Sequence, residues 1–118
     1  AWYRRLAEVF GRFDVIVTPG AGTPAFDVML RHLESIGGVR LENYMAGSMW
    51  NAAFTLAGCP AVAVPSAFDQ YGRPVGIQIA APSRRDEVAL AAAAVFERIT
   101  GLDRQVPIDP REGTVPPE

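Results

Sequence analysis

A chain of 118 residues with 49% apolar and 20% charged residues can build one core-bearing domain, burying roughly two thirds of its unfolded surface. A formal net charge of −2 gives no pull toward nucleic acid or an anionic membrane. No apolar run approaches the roughly 18 residues of a membrane span, and nothing at the start reads as a signal peptide.

Trp2, Leu6, Val9, Phe10 and Phe13 recur on one helical face, which predicts a first helix ending near Phe13. No capping residue precedes that helix and the chain opens on Ala1, so the expectation is a piece of a longer chain or a truncated reading frame. Asp14 to Thr18 reads as a strand closed by Pro19, and Gly20 to Ala25 as a loop. Phe26, Met29, Leu30, Leu33 and Ile36 then fall at helical spacing, predicting a second helix stopped by Gly37 and Gly38. Residues 39 to 46 read either as loop or as a short extended piece. A further helix is predicted from about Ser48 to Ala57, ended by Gly58 with Pro60 two residues on.

Ala61, Val62, Ala63 and Val64 form a short apolar run suited to a strand buried on both sides. Asp69 to Gly72 carries turn chemistry, with Gly72 free to take positive φ. Val75 to Ala80 returns as a strand with Ile77 and Ile79 on one face and Gly76, Gln78 and Ala80 on the other. Ser83 and Asp86 have capping-box spacing before a helix that presents Val88, Ala92, Val95, Phe96 and Ile99 and ends at Gly101. Val62 and Val64 are expected beside the strand of Ile77 and Ile79, with Val15 and Val17 in the same sheet. Residues 1–102 thus form the body, and the prolines of 103–118 predict an extended tail. Strands and helices in this order imply an α/β layer arrangement, yet so few strands make a small sheet with bare edges, as if part of a larger one.

Leu56-Ala57-Gly58-Cys59-Pro60-Ala61, then Val64-Pro65, then Gly72-Arg73-Pro74-Val75-Gly76-Ile77-Gln78 resemble the C-terminal part of the amidase signature family. The resemblance covers about residues 5 to 107, roughly the final quarter of such an enzyme. It implies the C-terminal part of the amidase signature fold, a mixed sheet flanked by helices, with no metal and no cofactor. It also implies a parent enzyme that hydrolyses an amide to a carboxylate plus ammonia or amine through an acyl-serine. The family's triad is a nucleophilic serine, a bridging serine and a neutral lysine. All 11 basic residues here are arginine, and Ser35, Ser48, Ser66 and Ser83 lie outside any Gly/Ser-rich stretch, so no catalytic residue is assigned to this chain.

What the resemblance assigns instead is the substrate side of a cleft: Thr18, Pro19 and Gly20 after a strand, with Ser48, Trp50 and Asn51 on the helix before Leu-Ala-Gly. Their ligand would be a small-molecule amide. Thr55 and Ala53 depart from the asparagine and proline that many members carry. Ser48 falls near an aspartate usual in the A subunits of glutamine-dependent tRNA amidotransferases, which favours an ordinary amidase with a more apolar substrate.

Other readings are weaker. Gly20 to Ala25 fits G-x-G-x-x-A with Glu42 beyond it, but Pro19 and Pro24 suit a dinucleotide loop poorly. His32 has no partner at ligand spacing and reads as a boundary residue. The single Cys59 reads as a packed thiol, fitting a reducing, cytoplasmic setting. A non-catalytic fragment or binding module, with the bare sheet edge pairing in a homo-oligomer, is the remaining alternative.

Overall fold

The computed structural model describes residues 2–102, and for Trp50 the backbone only. The element order is α1 (Trp2–Phe10), β1 (Ile16–Pro19), β2 (Ser35–Ile36), β3 (Val39–Arg40), α2 (Met49–Leu56), β4 (Ala61–Phe68), β5 (Pro74–Ala80) and α3 (Asp86–Thr100). A 3₁₀ turn, Ala46–Ser48, leads directly into α2. The tail predicted over 103–118 lies outside the described residues.

The main sheet has three strands in the order β1-β5-β4. Both pairings are antiparallel: Val17 faces Ile79 and Thr18 faces Gln78 across one, while Val62 faces Ile79 and Val64 faces Ile77 across the other. The α/β class with a helix-flanked sheet therefore holds, and the strands described here supply its antiparallel portion. Alternation splits the sheet into two apolar faces. Leu6, Phe54, Ala57 and Ala80 are buried on one side, with Phe10, Ile16 and Cys59 against them. Val64, Ile79 and Ala93 are buried on the other, joined by Val15, Val62, Ile77 and Phe96. Helices α1 and α2 thus cover one face and α3 the other, as the three layers of an α/β unit require.

Local chemistry explains the element ends. Gly58 at φ 65° stops α2 and Gly101 at φ 63° stops α3, where its N–H donates to the Glu97 carbonyl at 2.8 Å. The β4–β5 hairpin turns on Asp69, whose carboxylate accepts from the N–H groups of Tyr71 and Arg73, with Gly72 at φ 77°.

Three expectations are corrected. No helix forms over 26–36. Instead Asp27 accepts the Met29 N–H in a local turn at 2.8 Å, and Gly37 and Gly38, at φ 57° and 81°, close the two-residue hairpin β2–β3. Two successive positive φ values are the signature of a hairpin turn, and part of the apolar periodicity upstream is left uncovered: Met29 is 84% and Leu30 50% exposed. The loop Gly20–Ala25 therefore opens no helix, and the dinucleotide reading loses the element it needs. The capping box is also absent, since α3 starts one turn later than Ser83 with Arg85 at its N-cap and no side-chain cap. Finally, α3 meets the sheet through Ala89, Ala92, Ala93 and Phe96, leaving Val95 and Ile99 exposed. Alanines take up little space, so a helix face built from them can pack on the sheet with Phe96 as its one large contact while Val95 and Ile99 lie off that face.

Candidate functional site

Thr18 and α2 share a cavity. β1, α1 and α2 enclose about 560 Å³ of open space on the sheet face that carries Ile16 and Thr18. Met49, Ala53 and Phe54 contribute from α2, and Trp2 and Leu6 from α1. The Trp2 indole N–H donates to the Ala53 carbonyl at 2.8 Å, so one wall is pinned to the other across 51 residues of sequence. The lining is apolar apart from Arg5 and the Thr18 hydroxyl. That hydroxyl accepts from the side-chain amide of Gln78 at 3.5 Å, the long limit of a hydrogen bond, and Gln78 itself is 8% exposed. Such a cavity suits the apolar part of a small molecule, with Thr18 as a polar handle at its floor.

Ser48 opens elsewhere. The 3₁₀ turn divides two spaces: Ala46 lines the first, while Gly47 and Ser48 line a second of about 480 Å³ bounded by the Gly22–Phe26 loop, His32 and Tyr44. The Ser48 hydroxyl donates to the Met45 carbonyl at 3.1 Å, closing the turn. Gly20 continues the ladder, its N–H donating to the Gly76 carbonyl at 2.9 Å, and Pro19 sits opposite Ile77 on an exposed strand end. Asn51 is exposed on α2, and its backbone carbonyl accepts the Thr55 hydroxyl at 3.3 Å. Trp50 belongs to the same helix, with its side chain outside the described part. Of the six assigned residues, Thr18 enters the larger cavity and Ser48 the smaller. Sequence reasoning did not single out Met49, Ala53 and Phe54 as cavity walls. No local signal marks them, because the cavity exists only once α1 and β1 meet α2.

The loop after β1 is held from the far hairpin. Arg73 donates through Nε to Asp69 at 2.7 Å and through a terminal nitrogen to the Ala25 carbonyl at 2.7 Å, with its guanidinium 5.1 Å from the Tyr71 ring centre. Burial alone would raise the Asp69 carboxyl, but hydrogen bonds from Arg73 and from the Arg73 and Tyr71 amides, with the nearby positive charge, hold it below the ordinary range. Burial pushes the Cys59 thiol up against a smaller opposing hydrogen bond at Ser83. Among the described residues no group of three His, Cys, Asp or Glu side chains could hold a metal ion. No helix among them is long and apolar enough to cross a membrane.

Comparison with known proteins places this geometry in context. The family model for amidase matches residues 1–90. The A subunit of glutamyl-tRNA(Gln) amidotransferase from Streptococcus pneumoniae is 34% identical over 101 residues, which is 86% of this chain and 19% of that protein. The chain therefore spans about a fifth of the length of such relatives. Among solved structures, a bacterial aryl acylamidase of the amidase signature family superposes with a TM-score of 0.75 at 24% identity, over 87% of this chain and 21% of that one. The glutamyl-tRNA(Gln) amidotransferase A subunit from Thermotoga maritima gives a TM-score of 0.65 at 28% identity, over 81% and 20% respectively.

Proposed function

This chain belongs to the amidase family, and from that premise we propose that it forms the C-terminal wall of an amide-hydrolysing centre. The parent enzyme converts a carboxylic amide to a carboxylate plus ammonia or amine through an acyl-serine, and its Ser-Ser-Lys triad comes from outside these residues. The observation that carries this reading is the shared cavity: Thr18, at the end of a sheet strand, opens with α2 onto an apolar space of about 560 Å³. A space of that size accommodates a drug-sized apolar group.

The chain by itself is inactive under this reading. It has no lysine to act as the ultimate base and no Gly/Ser-rich stretch to donate to an oxyanion, and these groups carry most of the rate. The experiment has two arms. In the first, the purified chain is assayed with a simple aryl amide, and turnover abolished by replacing any one of its serines would refute the assignment. In the second, residues 2–102 replace the matching segment of a bacterial aryl acylamidase. An active chimera whose KM responds to Thr18→Ala supports the reading, whereas a folded chimera indifferent to Thr18 refutes the site.

The similarity to amidotransferase A subunits favours a second reading, in which the parent releases ammonia from glutamine. Ser48 supports the first reading over the second. Its hydroxyl is engaged with Met45, and no carboxylate stands there to meet an α-ammonium group. Glutaminase activity in the same chimera, matching its aryl amidase activity, would favour the amidotransferase.

A further inference from the structure

We propose that Arg73 is a positioning residue that sets substrate specificity: by holding the loop of residues 21–26 it maintains one wall of the Ser48-side cavity, and so selects amides that reach past the 3₁₀ turn into that space. The inference rests on the hydrolytic reading above and adds to it a residue outside the six assigned to the cleft.

The loop needs an anchor. Residues 21–26 form no helix or strand, and Gly20, just before them, makes the last bond of the β1–β5 ladder. Among the described residues the only hydrogen bond that reaches 21–26 is the one from Arg73 to the Ala25 carbonyl, at 2.7 Å. A segment with so few fixed backbone groups keeps its conformational freedom unless something outside it takes hold.

Arg73 can take hold because its own guanidinium is fixed. Its Nε and one terminal nitrogen close on a single Asp69 carboxylate oxygen at 2.7 and 2.6 Å, and the Tyr71 ring centre lies 5.1 Å away. Asp69 is held in turn by the backbone N–H groups of Tyr71 and Arg73. The remaining terminal nitrogen is thereby aimed at Ala25, which ties the loop to the head of the β4–β5 hairpin across 48 residues of sequence. A lysine would offer a single ammonium on a flexible stem in place of this planar fork.

What the loop walls is the smaller space alone. Ala25 and Phe26 line it together with Ile36, Leu41 and Ser48; Pro74 lines it too, but Arg73 does not, so Arg73 acts through Ala25. Ile36 is wedged between loop and turn: its δ-methyl stands 3.0 Å from where a Cβ would be on Gly22 and 3.6 Å from the same point on Gly47. Releasing Ala25 would loosen that wedge and change the width of the space beside Ser48. The cavity of about 560 Å³ takes no wall from residues 21–26, so a substrate confined to it should not sense Arg73.

The test compares Arg73→Ala with Arg73→Lys. In the full 118-residue chain, nuclear magnetic resonance should show the Ile36 δ-methyl signal displaced in both variants and that of Ile79 unmoved. Circular dichroism should stay intact, because the Arg73 side chain is 41% exposed. In the aryl acylamidase chimera both variants should raise KM about tenfold, with kcat held, for an amide carrying a ring on each side of the scissile bond. For an aryl amide with only an acetyl group, KM should stay where it is. A loss of stability alone would not separate the two substrates. The proposal falls if the Ile36 signal ignores Arg73, if Arg73→Lys behaves as the parent, or if KM rises equally for both amides. A chimera whose KM responds to Thr18→Ala but not to Arg73→Ala overturns this proposal and leaves the hydrolytic reading standing.

Discussion

Replacing isoleucine by alanine at two sites on the α3 side of the sheet should give opposite outcomes. Ile79 is 2% exposed in the central strand, opposite both Val17 and Val62. Ile99 is 78% exposed near the end of α3. At Ile79 the change removes three carbons at about 0.8 kcal/mol each, a transfer loss of roughly 2.4 kcal/mol. The cavity left behind brings the cost to about 3 kcal/mol, within the usual range for buried aliphatic truncations. At Ile99 little area returns to water, and alanine is the better helix former by a few tenths of a kcal/mol, so the change is about neutral. The assay is urea unfolding of the full chain followed by circular dichroism. With a slope of about 1.5 kcal/mol per molar urea, Ile79→Ala should lower the midpoint by about 2 M and Ile99→Ala by almost nothing. Equal losses at the two positions would refute the reasoning, because they would mean that α3 meets the sheet through its valine–isoleucine side rather than its alanines.

The other predictions separate conformational from steric and electrostatic causes. Gly58 has φ 65° and nothing within 4 Å of where a Cβ would stand, so Gly58→Ala should cost about 1 kcal/mol in thermal unfolding from backbone strain alone. Gly76→Ala instead places its Cβ 3.2 Å from the Val64 carbonyl oxygen in the middle of the ladder, and should lose about 1–3 kcal/mol by overpacking. The Asp69 carboxyl binds its proton less readily folded than unfolded, so its contribution is complete above the ordinary carboxylate pKa of about 3.9 and lost as pH falls through the lower folded value. Amide shifts of Tyr71 and Arg73 should move over that acid range, and Asp69→Asn should flatten them. Because burial raises the Cys59 thiol, a disulfide reagent at neutral pH should label it slowly in the folded chain and quickly in urea; equal rates would contradict its packing.

Chain punctuation was legible wherever it was local. Gly58 with Pro60, the Asp69–Gly72 turn and Gly101 each carry their reason in one or two residues, and all three lie where the sequence predicts. The strand pair was legible because a one-residue slip would turn Ile77 and Ile79 away from the core. Residues 26–36 misled because apolar spacing speaks only of a possible helix face. Asp27 and the Gly37-Gly38 pair supplied stronger local instructions, and the region packs too little to override them. The face of α3 misled for the opposite reason: alanine carries little hydrophobic signal, yet alanines make up the face that packs on the sheet. Thr18 could be connected with α2 only through family resemblance. Its cavity depends on Trp2 reaching Ala53, a contact between distant segments that periodicity does not report.

The central position of β5 implies an order of events during folding. Its partner β4 lies just across a short turn, with Ser66 and Val75 only 9 residues apart, so this hairpin closes at small entropic cost. Its other partner arrives from far away: Thr18 and Gln78 are separated by 60 residues. The hairpin should therefore form early, with α3 collapsing onto it, and β1 should join last. Ratios of kinetic to equilibrium destabilisation are expected to be high at Val64 and Ile77 and near zero at Val17. While β1 remains undocked, β5 has one saturated side and one open side, and that half-built interval is when misassembly threatens this chain most.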